Sequence, residues 1–305
     1  MVLVKNRNDV INDARQFLCE NIYGEIPARP LHLSADVVER DEFFAAGKAT
    51  LNRMQIICEL ENHSIIQFPF ISVIPQGRDK VPAIVSVEHE GGAPNKFLPI
   101  EEIVDRGYAV FCFNCSDVTA NNGNFKEKLY QSLATRKKKT APGKIAIWAY
   151  AMIRVAEYVS DLDCIDKSRI IASGHSFLGK SALLAAAFSD KITHVIANDS
   201  MGFGCLSQVG DPSVMYPYMF CPRFSSGEWQ DNAKNEHYTL LVSCSEKKIL
   251  VGAAKDDLRS LPSEELEYLN RVKAEMPDFD YHFHSRSGCQ YFSRDDWNTY
   301  LDFID

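Results

Sequence analysis

The chain has 305 residues, 46% hydrophobic and 24% charged, which is enough apolar material for a sizeable core. A formal net charge of -8 and a pI near 5.5 argue against the basic surface that nucleic acid demands. No uncharged apolar run approaches the roughly 20 residues of a membrane span, so neither nucleic acid nor membrane is an expected partner.

Met1 to Asn8 lacks a long apolar stretch, so no secretory leader is read there. Nine cysteines are scattered without C-x-x-C pairs, and Cys58 and Cys112 sit inside apolar runs. That usage points to reduced, buried thiols in a cytoplasmic protein rather than a disulfide framework or zinc site. The basic run Arg136-Lys137-Lys138-Lys139 lies among Thr135, Thr140 and Pro142 and reads as a solvated loop.

In chain order, residues 9–22 carry Val10, Ala14, Phe17, Leu18 and Ile22 at helical spacing, with Asn8 or Asp9 as cap. Arg53 to Leu60 and Ile65 to Ile74 read as a strand pair turned by Glu61-Asn62-His63. Pro82 to Val87 and Gly107 to Phe113 are strands, with a helix from Ile100 to Arg106 between them. Residues 144–160 form a helix, followed by a strand from Arg169 to Ala172 and a helix from Ser181 to Ser189. Ile192 to Ala197 and Lys248 to Ala253 are further strands, separated by an irregular, aromatic-rich segment, 201–246. A helix from Leu261 to Ala274, a strand from Tyr281 to His284 and a helix from Asp295 to Ile304 complete the chain.

Strands alternating with helices from residue 82 onward predict an α/β fold: a mostly parallel sheet with helices on both faces. One domain over 1–305 is expected, with 1–50 as a helical extension packed on it and 201–246 as an insert near the functional edge. The polar clusters after residues 87, 113, 173, 197 and 254 then gather at the carboxyl edge of the sheet, where sites in such folds lie.

The stretch Gly174-His175-Ser176-Phe177-Leu178-Gly179-Lys180-Ser181 follows a strand and opens a helix. It fits a P-loop, G-x-x-x-x-G-K-[ST], letter for letter, and Asn198-Asp199 then stands in for a Walker B acid. It also fits a nucleophile elbow that holds Ser176 at a helix N-terminus, where an oxyanion is stabilised. Bulky Phe177 and Leu178 count against a phosphate cradle. Acids at two later strand ends, Asp199 and Asp257, and the His89-Glu90-Gly91-Gly92 turn after an earlier strand, count for the elbow. Gly91 is the candidate oxyanion-loop residue.

The turn resembles the G-[CH]-S-R-x-G-K elbow of glucuronoyl esterases and their bacterial acetylxylan-esterase-like relatives, which are α/β-hydrolases. The likeness extends along most of the chain. Tyr23-Gly24-Glu25-Ile26-Pro27 resembles their Y-G-x-x-P segment, and Asn198-Asp199-Ser200-Met201-Gly202 their [QN]-[ED]-S-G-x-G. Tyr216-Pro217-Tyr218-Met219-Phe220 resembles F-P-x-W-F, Asp256-Asp257-Leu258 resembles E-D-L-W, and Gly288 to Trp297 resembles G-G-H-D-x-T-x-x-D-W.

The resemblance implies a three-layer α/β-hydrolase sandwich and carboxylic-ester hydrolysis of a small-molecule or carbohydrate ester through Ser176. It implies no metal or organic cofactor. Asp199, 23 residues after Ser176 as in the family, would be an acid of the triad, and Asp257 a second acid or a helix-start residue. The site also departs from the family. The catalytic histidine falls on Gln290, the oxyanion arginine on Phe177, and the tryptophan of the sugar-binding segment on Met219.

Glutamine takes no proton from serine near neutral pH, so weak activity or none is expected. Candidate substitute bases are His89 and His284, the latter matching a second, non-catalytic family histidine. His175 should point away from Ser176, and His237 reads as scaffold. Lys180 either contacts a sugar hydroxyl or pairs with a carboxylate. A non-catalytic carbohydrate- or ester-binding pseudohydrolase is the alternative, and a P-loop NTPase the more distant one.

Overall fold

The computed structural model describes residues 6–89, 95–200, 216–226, 235–257 and 261–305. Its centre is a nine-stranded sheet in the order β1-β2-β3-β5-β4-β6-β7-β8-β9. The strands are β1 His32–Phe43, β2 Ala49–Glu59, β3 Ile65–Pro75, β4 Val81–Glu88, β5 Ala109–Asn114, β6 Ile165–His175, β7 His194–Asn198, β8 Lys248–Ala254 and β9 Asp280–Arg286. The first three form an antiparallel meander joined to β5, and β5, β4 and β6 to β9 run parallel. No helix among the described residues is long and apolar enough to cross a membrane.

The main helices are α1 Arg7–Asn21, α2 Ile100–Asp105, α3 Lys144–Asp161, α4 Phe177–Ala187, α5 Glu236–Ser243, α6 Pro262–Glu275 and α7 Arg294–Ile304. Two apolar clusters separate them into layers. One gathers Ile11 and Leu18 of α1, Trp148 and Met152 of α3, Leu183 of α4, Leu241 of α5 and Leu269 of α6 against Met54, Val85 and Ala172 of the sheet. The other packs Ile103 of α2 and Trp297 and Leu301 of α7 against Ile84, Ile171 and Ile196 on the opposite face. Helices on both faces of a mostly parallel sheet are the three-layer arrangement that the alternating pattern implies.

The structure corrects four expectations. Segment 1–50 is not a helical extension alone, because it also supplies β1, registered against β2 from His32↔Glu59 to Asp41↔Leu51. The cap of α1 is Asn6, whose side chain accepts from the Asp9 N–H, rather than Asn8 or Asp9. Helix α4 begins at Phe177 instead of Ser181, since buried Gly179 is an approach point within the helix and not a breaker. Segment 201–246 is not wholly irregular: α5 lies within it, as do helical turns at Pro217–Met219 and Pro222–Ser225.

Helix α4 is buried on every side, as a helix that is apolar all round must be. It leads directly out of the Ser176 turn and fixes that turn against the core.

Candidate active site

The site is built where β6 meets α4. Ser176 sits between them at φ 59° and ψ -128°, a strained conformation for a non-glycine residue. Its N–H donates to the Asn198 carbonyl at 2.9 Å, and its carbonyl accepts from the Gly179 N–H at 3.0 Å. The flanking glycines make room for the turn. A Cβ at Gly174 would lie 2.2 Å from the Leu178 carbonyl oxygen, and one at Gly179 would lie 2.8 Å from Ser200 Cβ. A serine held in a strained strand-to-helix turn by close backbone packing is the geometry of a nucleophile elbow.

The acids near the turn are held in a hydrogen-bond network of their own. Asp199 is 1% exposed, and its carboxylate is fully engaged. Oδ1 accepts from the Ala254 N–H at 2.7 Å; Oδ2 accepts from Arg286 Nη2 at 3.0 Å, Tyr291 N–H at 3.1 Å and Asn198 Nδ2 at 3.2 Å. Asp257 accepts from the Gln290 N–H at 3.1 Å through Oδ2. Gln290 therefore lies between the two acids, and its Nε2 donates to the Asp199 carbonyl at 3.3 Å.

Arg286 is the residue the sequence reading missed. Its Nε donates to Asp296 Oδ2 at 3.0 Å, its Nη1 to the Cys289 carbonyl at 2.8 Å, and its Nη2 to Asp199 and the Tyr291 carbonyl. One guanidinium thus clamps loop 287–291 and neutralises the acid that a histidine base would need. No local motif marks it; only the alternation along β9 places it on the same side as His282 and His284.

The histidines are spoken for in other ways. His284 lies 3.2 Å from Asp296 and edge-on to Tyr300, facing α7. His282 packs on Phe303, and His237 Nε2 donates to Glu265 Oε1 at 2.6 Å. His175 stacks between Phe97 and Phe292, with Asn198 Nδ2 donating to its Nδ1 at 3.0 Å. His89 follows β4 and is exposed, and it acts electrostatically on His175. Among the described residues, no imidazole is hydrogen-bonded to Ser176. Gly91, Met201, Gly202 and Leu258 lie outside the described residues.

Burial pushes the His175 imidazole down from the ordinary 6.5 to about 4, with His89 and Arg286 adding to the effect. His194, at the far end of β7, is driven to about 4 chiefly by burial too, then by Lys248. The unfolded chain takes these protons near pH 6.5 and the folded chain only near pH 4. The stability they contribute is whole above pH 6.5 and is lost as pH falls to about 4. Urea titrations across that window are expected to show the decline, and His175→Phe to flatten it; an equal decline in the variant would contradict the assignment.

Lys180 and Met219 do not face the edge. Lys180 is fully buried and pairs with Glu236 at 2.8 Å, while Glu236 also accepts from the Tyr23 hydroxyl. This is the carboxylate pairing, not the sugar contact, and it removes the ammonium from any phosphate. The P-loop reading falls with it. Met219 is fully buried in the main core. Phe177 packs edge-on to Tyr216, with ring centroids 5.4 Å apart.

The chain is similar to several known proteins. The fungal glucuronyl esterase family model matches residues 58–209. A carbohydrate esterase from an unknown prokaryotic organism is 25% identical over 243 residues, covering 68% of this chain; the chain spans about half (55%) of that relative's length. The solved glucuronoyl esterase from Solibacter usitatus superimposes with a TM-score of 0.84 at 18% identity, covering 98% of this chain and 91% of that one. A serine-to-alanine variant of the Sporotrichum thermophile glucuronoyl esterase, in complex with methyl 4-O-methyl-β-D-glucopyranuronate, gives a TM-score of 0.70 at 17% identity and covers 96% of this chain and 79% of that one. The sheet order, the strained serine between β6 and α4 and the family match converge on one assignment: the chain belongs to the glucuronoyl esterase family of α/β-hydrolases.

Proposed function

We propose that the protein is a serine-type carboxylic-ester hydrolase for glucuronate or acetyl esters of carbohydrates, with turnover held low by the loss of its base. The observation that carries the reading is an intact elbow beside an occupied base position. Ser176 keeps the strained turn, while Gln290 lies between Asp199 and Asp257.

In the proposed reaction, Ser176 Oγ attacks the ester carbonyl, the alcohol leaves with a proton, and water releases the acid from the acyl-serine. The amino end of α4 favours the oxyanion, with Gly91 as the proposed second donor. Without an imidazole the serine proton has no ready acceptor, so attack is slow. The complex of the Sporotrichum thermophile serine-to-alanine variant with methyl 4-O-methyl-β-D-glucopyranuronate supports a glucuronate ester as ligand.

The Arg286–Asp199 pair favours a second reading, ester binding without turnover, because it ties up the acid. One pair of assays separates them: binding of methyl glucuronate, and hydrolysis of aryl acetates and the same ester by wild type and Ser176→Ala. Binding is expected, with wild-type rates near those of the variant. Brisk turnover that the variant loses would sink the low-turnover account, and no binding of the ester would sink the site itself.

A further inference from the structure

A cleft of about 400 Å³ lies beside the elbow edge, lined by Lys96, Tyr291, Ser293, Arg294 and Asp295. Tyr291 follows Gln290 directly, so the cleft adjoins the position of the missing base. The residue is 39% exposed, yet its backbone is among the most firmly held in the loop. The N–H donates to Asp199 Oδ2 at 3.1 Å, and the carbonyl accepts from Asn198 Nδ2 at 2.7 Å and from Arg286 Nη2. Phe97 buttresses the ring, with centroids 5.2 Å apart, and Phe97 is itself fixed by Trp297 Nε1 donating to its carbonyl at 2.7 Å.

A rigidly mounted, exposed aromatic ring offers contact area at low ordering cost. The groups around it are of mixed kind. Lys96 supplies an ammonium 4.8 Å over Phe97, Arg294 a guanidinium that reaches Glu102 at 3.0 Å, and Asp295 a carboxylate. Donors and acceptors in balance around one apolar face suit a ring of hydroxyls with an apolar C–H face, and suit a compact anion or cation less well.

We propose that this cleft is a pyranose subsite, with Tyr291 as the stacking platform for a sugar neighbouring the ester. The proposal rests on reading the edge as a carbohydrate-ester site, but it can be tested without any ester. NMR titration of the full chain with xylotetraose and cellotetraose, neutral and unesterified, is the experiment. Binding of at least one is expected. Tyr291→Ala should weaken it by about tenfold, while Tyr291→Phe and Ser176→Ala bind as wild type and all variants melt at the same temperature. Absence of binding by wild type at millimolar sugar, or equal binding by Tyr291→Ala, would overturn the subsite. Oligosaccharide binding with no capture of methyl glucuronate would uphold the subsite while overturning the ester reading.

Discussion

Gln290→His is expected to raise Ser176-dependent hydrolysis of aryl acetates by about 10²-fold, the lower range of what a positioned general base contributes. The position already touches both acid residues. Asp257 holds the residue 290 N–H at 3.1 Å, and the side chain reaches the Asp199 carbonyl at 3.3 Å. Asp199 is committed to Arg286 at 3.0 Å, so Asp257, which already accepts from the residue 290 N–H, is the acid proposed to orient a new imidazole. Asp257→Asn in the Gln290→His background should therefore erase most of the gain. A folded Gln290→His variant with no gain would show that the lost base does not belong at this position.

Lys180→Met is expected to cost about 3–5 kcal/mol, because it leaves the Glu236 carboxylate buried without its cation. Both side chains of that pair are completely inaccessible, and burial together with Glu236 pushes the Tyr23 hydroxyl well above its ordinary range. The network joins Tyr23, two residues past α1, the first turn of α4, and α5. His237 extends it to Glu265 on α6 at 2.6 Å. Differential scanning calorimetry should register a loss of roughly 10 °C or less for a chain this large. Lys180→Met with Glu236→Leu should recover part of it, since an apolar pair of similar volume often replaces a buried ion pair at little cost. A melting point unchanged in Lys180→Met would mean the ammonium is not spent on this pair.

The parallel half of the sheet was legible because its strands are short apolar runs ending in polar turns. Val81–Glu88 and Ala109–Asn114 are buried at every position. Strand β1 was not legible, because it is exposed at most positions and charged along its second half, from Glu39 to Glu42. Its place comes from backbone pairing with β2, which composition does not announce. Helix α5 was hidden by its aromatic surroundings and its length of eight residues. In the site, the Ser176 turn was legible from its strand–turn–helix pattern. Arg286 was not, since its partner Asp199 lies 87 residues away and only the fold brings β7 and β9 to one edge.

We propose that the Ser176 elbow is intact while its serine lacks an imidazole base. Intact-mass measurement of acetyl uptake from 4-nitrophenyl acetate, with the adduct mapped to its residue, tests it most directly. Gln290→His is predicted to acquire acetyl on Ser176 while wild type, over the same interval, acquires little. Wild type acetylated on Ser176 as fast as the variant would contradict the account.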